Sequence, residues 1–226
     1  MVTAENHPEL HRQTLEMNRQ LNERHGTHYA PPDVLLVDNN NQIPLYSELA
    51  DMIVISRRTL EQGNAPAMIA HELAERQGQL TRGDMRLNQE FNLRRDLGLA
   101  QPTGTLERHR VNECREDAEA IVLVGPDAYQ RAFHSELSPL PHNTDELNYI
   151  SDGLLRGNAS EHYPAILDRL RMVATFRDNP ELLARFRNNP QAIQLDGSCN
   201  ITEVEARGAG TARAPQQVGN DPAQAR

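Results

Sequence analysis

The chain has 226 residues, 38% of them hydrophobic and only 4% aromatic, with no Trp. That length suits one domain of ordinary size or a tight pair of small ones, with a core of Leu, Ile, Val, Ala and Met rather than of rings. Asp and Glu number 32 against 23 Lys and Arg, a formal net charge of −9, which argues against a nucleic-acid binder because phosphate contacts supply most of that affinity.

No apolar run approaches the ~18 residues of a membrane span. The polar N-terminal stretch has no apolar core of a secretory signal. These features predict a chain without a membrane span, placed in the cytoplasm, with a secreted bacterial effector as the other option. Two cysteines, Cys114 and Cys199, neither in a CxxC pair, do not make a disulfide framework, so a reducing compartment is the simpler reading. Cys114 then reads as a small buried residue; Cys199 sits in a loop context that assigns it no role.

In chain order, Pro8 opens a helix over residues 8–25, with Leu10, Leu15, Met17 and Leu21 as its apolar face. His7, His11, His25 and His28 around it read as solvated. Val34 to Val37 is a short apolar run bounded by turn residues, hence a strand. The Asn run near residue 40 is a turn, residues 42–50 are irregular or a weak edge strand, and Met52 to Ser56 is the clearest strand. Helices are then predicted over 66–78, 81–97, 105–124, 127–134, 144–156 and 163–176, and a short one lies between Asn179-Pro180 and Asn189-Pro190. From residue 205 the composition shifts to Gly, Ala, Pro, Gln and Arg, which reads as a disordered tail over 205–226. Few strands followed by many helices predict an α+β domain over residues 1–204, with a small sheet packed on a predominantly helical body.

Three local patterns carry chemistry. In Ala70-His71-Glu72-Leu73-Ala74-Glu75, His71 and Glu75 stand four apart and share a helix face, with Glu72 one step on from His71. Glu113 and Asp117 repeat the four-residue spacing on a later helix, 42 residues after His71. The third pattern places His162 two residues before Pro164, with Arg169 on the helix that follows. Taken singly, each has a plain alternative as the charged face of a helix in an acidic protein.

Together, and in this order, they resemble metallopeptidase family forty-eight, which contains the HtpX-type and CAAX prenyl proteases. The resemblance spans roughly residues 15–175. It implies a zincin-like fold and a metal-dependent, in first place zinc-dependent, endopeptidase acting on a peptide or protein substrate. It implies His71, Glu75 and Glu113 as metal ligands, Glu72 as the base that activates water, and Asp117 and Arg169 as supports behind the ligands. His162 would stabilise the oxyanion or cap the metal.

Two features depart from the family. The usual HExxH second His is Glu75, and the membrane spans of many members are absent. Two carboxylates nominally neutralise a dication, which lowers the acidity of bound water and makes manganese a stronger competitor for zinc. His109 or His162 are alternative donors. Two other readings follow: a catalytically impaired zincin fold that serves as a protein-binding module, and an unrelated helical interaction protein in which these side chains are dispersed and exposed.

Overall fold

The computed structural model describes residues 1–38, 44–82, 93–94, 97–99, 104–137, 164 and 166–204. Its elements in chain order are α1 (Pro8–His25), β1 (Asp33–Val37), β2 (Leu45–Ser47), β3 (Met52–Ser56), α2 (Arg57–Glu61) and α3 (Ala65–Arg82). After these come α4 (Thr105–Val124), α5 (Pro126–Leu137), α6 (Ile166–Asp178), α7 (Pro180–Asn188), β4 (Ile193–Leu195) and β5 (Ile201–Glu203). The class is α+β. No described helix is long and apolar enough to cross a membrane.

β3 is the middle strand of a three-stranded sheet, parallel to β1 and antiparallel to β2. Its Ile53 and Ile55 are fully buried, as the alternation of a half-covered strand requires. α3 packs on this sheet and on α1, α4 and α5, so it runs through the centre of the molecule. Ile69 and Leu73 of α3 and Ile121 of α4 form the middle of the core, and Met172, Val173, Phe176 and Phe186 extend it through α6 and α7. With no Trp to fill it, the core relies on helix-to-helix packing of aliphatic side chains, and most of its few aromatics cluster around α5, α6 and α7.

Local chemistry explains the boundaries. Gly26 ends α1 in the left-handed conformation, with its N–H on the Asn22 carbonyl. Ser56 caps α2 by accepting from the Thr59 N–H, and Asn179 caps α7 through the Leu182 N–H. Gly125, with φ 86, separates α4 from α5.

Several expectations change. The buried stripe of α1 is Leu10, Thr14, Met17, Asn18 and Leu21; Leu15 lies off it and is exposed. α3 does not stop near residue 78. A side chain at Gly78 would collide with the Arg82 guanidinium, so this glycine makes room for an arginine within the helix instead of ending it. His25 is not solvated: it lies part-buried, 3.4 Å from a Glu119 carboxylate oxygen. Neighbouring Arg24 pairs with Glu119 at 2.9 Å and donates to the Phe186 carbonyl, tying the end of α1 to α4 and α7.

The hairpin of β4 and β5 was not foreseen, because three-residue strands carry too little alternation to read. Its loop is held by Asp196, whose carboxylate accepts from the Ser198 and Asn200 N–H groups. The same loop overturns the cysteine reading. Cys199, in the left-handed region at φ 55, forms a disulfide with Cys114 of α4. Cys114 is buried as expected, but as half of a covalent cross-link 85 residues long in sequence. Disulfides persist in oxidising surroundings, so the sequence argument for a reducing compartment falls. The helices expected over 81–97 and 144–156, and the tail over 205–226, lie wholly or mostly outside the described residues.

Candidate functional site

α3 and α4 lie side by side, and each turns an acidic face to the other. From α3 come His71, Glu72 and Glu75; from α4 come Glu113, Glu116 and Asp117. The spacing is what places them there, since residues three and four apart share one helix face. All six are in the interior or at its margin: Asp117 is fully buried, and Glu72, Glu113 and Glu116 retain less than a tenth of their exposure. They are neither dispersed nor exposed, as an accidental pattern would leave them.

Two layers can be separated. The inner layer centres on Asp117. Its carboxylate accepts from Arg169 of α6 through Nε at 2.5 Å and through the second guanidinium nitrogen, and also from the Tyr129 hydroxyl of α5. The His71 Nδ1 stands 3.1 Å from the same carboxylate. Burial alone would raise the Asp117 pKa, but Arg169 and His71 outweigh it and hold it below the usual carboxylate range. Burial works against the His71 imidazolium, yet the hydrogen bond and charge of Asp117 raise its pKa to about 9. Arg169 also lies over the Phe133 ring at 4.5 Å, which fixes the guanidinium plane.

The outer layer is Glu72, Glu75, Glu113 and Glu116, and it lacks this compensation. Burial pushes the Glu72 carboxyl up to about 7, partly offset by a hydrogen bond from Glu75 and one from the Tyr46 N–H of β2. One Glu72 oxygen, Oε2, is buried without a hydrogen bond among the described residues. Glu75 is pushed well above the carboxylate range by burial and by the charges of Glu72 and Glu113. Its Oε1 accepts from the Gln79 amide at 2.8 Å. Glu116 is likewise pushed well up, by burial and then by Glu113 and Glu75. Burial and mutual charge therefore both work against full ionisation of these carboxyls.

A ring nitrogen of His71 and one carboxylate oxygen each of Glu113 and Glu116 lie within 4.8 Å of one another. Among the described residues this is the one group of three with donors able to hold a metal ion. The expected ligand Glu75 is outside it, and Glu116 takes the third place. His109, an alternative donor, has its Nε2 3.9 Å from Glu113. Asp117 and Arg169 join as a pair behind His71, and His162 lies outside the described residues.

The chain matches no protein-family model, no curated protein and no solved structure. The site is therefore read from its own residues. Sequence reasoning overlooked Glu116 and Tyr129. Glu116 was visible as a third acidic residue on the Glu113 face, at i+3; Tyr129 had no signal, since its contact with Asp117 depends on how α5 folds back after Gly125.

Proposed function

We propose that this chain is a zincin-like, metal-dependent endopeptidase, with α3 as the helix that carries both a metal ligand and the general base. The observation that carries the reading is the convergence of His71, Glu113 and Glu116 from two packed helices, with Glu72 next to His71 in the chain and Asp117 holding His71 from behind. The donor chemistry fits a divalent cation. An imidazole and neighbouring carboxylates of low exposure suit zinc, with manganese as a competitor, and a dication would relieve the crowding that pushes the Glu72, Glu75 and Glu116 carboxyls upward.

His71 and Glu113 would hold the ion, which when bound supplies Lewis-acid activation of the scissile carbonyl and of water. The chain's own residues do the rest. Asp117 accepts from Nδ1 of His71, which leaves Nε2 as the ring's free donor atom. Arg169 and Tyr129 keep Asp117 ionised and fixed, so the imidazole cannot rotate. Glu72 takes a proton from water and passes it to the leaving amine. The β2 strand lies along this helix, with the Tyr46 N–H on Glu72, so an extended peptide added to the β2 edge would run past the base.

One observation favours a second reading, a zincin-like binding module without efficient catalysis: Glu72 is already engaged by Glu75 and Tyr46. Metal content together with Glu72-dependent cleavage separates the two. Purified protein should carry about one zinc per chain, lost in Glu113→Ala, and cleave peptides in a way that Glu72→Gln abolishes. Stoichiometric zinc without any Glu72-dependent cleavage would favour the binding module.

A further inference from the structure

Glu116 stands out among the acidic side chains. It is 5% exposed and accepts no hydrogen bond among the described residues. Its charge partner, the Arg82 guanidinium, stands at 4.0 Å, the limit of an ion pair. Its carboxylate is instead within 4.8 Å of a His71 ring nitrogen and a Glu113 oxygen. A carboxylate of such low exposure is costly to keep charged without a close counter-charge, and a cation held among these three donors would offset that cost. Donors around one zinc ion stand ~3–4 Å apart, so small rotations of two flexible Glu side chains would bring the three into range.

Glu75 is in the opposite condition. It accepts from Gln79 and shares a hydrogen bond with Glu72, and it lies outside the three-residue group. Its Oε1 is thus already engaged by Gln79.

We propose that Glu116, not Glu75, is the third protein ligand, so that the cation centre is His71, Glu113 and Glu116, with one residue from α3 and an i, i+3 carboxylate pair from α4. The inference rests on the reading of this site as a metal centre, and it changes which helix carries the ligands. The helix α3 then supplies one ligand rather than two, and the position that departs from HExxH is not a failed ligand, because no ligand is needed there.

The test is zinc binding by the full chain, stripped with a chelator and then titrated. Bound zinc is counted by elemental mass spectrometry, and affinity is read by competition with a chromophoric chelator. Glu116→Gln should weaken zinc by ~100-fold or more, beyond the usual loss for a group that only supports a ligand. Glu75→Gln should change it by less than about threefold, since it removes no donor from the centre. Far-UV circular dichroism checks the fold, and Glu116→His, which restores a donor, should retain zinc even if the amide variant unfolds. Loss of zinc in Glu75→Gln with retention in Glu116→Gln would overturn the assignment and leave the metal centre standing. Retention in both variants would also overturn it. Wild-type protein that binds neither zinc nor manganese would remove the metal centre itself, and the assignment with it.

Discussion

One helical turn separates two buried charge clusters that are built on opposite terms. Around Asp117, an acid, a guanidinium, an imidazole and a phenol satisfy one another within the protein. Around Glu72, Glu75, Glu113 and Glu116, four carboxyls face each other, with one buried oxygen unpartnered among the described residues and two carboxyls pushed well up by burial and then by their neighbours' charges. The first is a scaffold, complete by itself. The second is complete only with protons or a cation. Because burial is similar in both, partner supply rather than depth is what distinguishes a supporting cluster from a candidate site.

The sharpest way to break this comparison is to remove one function-bearing oxygen from the incomplete cluster. Glu72→Gln should cut peptide hydrolysis by about 10²–10⁴-fold, the usual worth of a positioned general base, with little change in melting temperature. A large loss of stability instead would place Glu72 in the scaffold.

The cross-link beside Glu113 gives the next largest effect. Chain-entropy reasoning for a loop of this length puts the loss in Cys199→Ser at ~4–5 kcal/mol, measurable by denaturant unfolding under non-reducing conditions. The same shift should follow reduction of the wild type and be absent when the variant is reduced.

In the satisfied cluster, Asp117→Asn leaves the Arg169 guanidinium buried without its counter-charge and should cost ~3–5 kcal/mol. Zinc affinity should also fall by ~10–100-fold, because His71 loses the acceptor that orients it. In the crowded cluster the sign should reverse. Metal-free Glu116→Gln should be as stable as wild type or up to about 1 kcal/mol more stable, since removing one partner of a repulsive set relieves it. Added zinc should then stabilise the wild type and not the variant.

The smallest effect lies at the far end of α4, where Glu119 pairs with Arg24 and stands near His25. Burial raises the Glu119 pKa, but hydrogen bonds and charge from His25 and Arg24 bring it below the usual value. A depressed folded pKa means the contribution is fully present above the unfolded carboxylate value near 4.5 and lost as pH falls through the folded one. The acid limb of the melting-temperature curve should therefore be shallower in Glu119→Gln than in the wild type.

Much of the layout was legible because it is periodic. The limits of α1 and α4, and the strands β1 and β3, follow from apolar spacing and from Pro and Gly punctuation. The acidic faces of α3 and α4 were legible too, since i, i+3 and i+4 spacing is a property of the helix and not of its neighbours. Asp117 and Arg169 were expected behind the ligands only through the family resemblance, and their pairing with each other was not foreseen. The cysteine pair was misread because residues 85 apart give no local sign that they meet, and the αL turn at Cys199 that aims its sulfur is set by the hairpin.

Glu75 and Glu116 show where sequence reasoning stops. By itself the sequence determined two helices with acidic faces, a glutamate next to a histidine, and a short sheet before them. Which carboxylates join the histidine, and which are consumed by other hydrogen bonds, was decided only by the way α3 and α4 pack. Helical spacing chooses a face, but donor-to-donor distances depend on the rotation and offset of one helix against another, and those follow from the whole core.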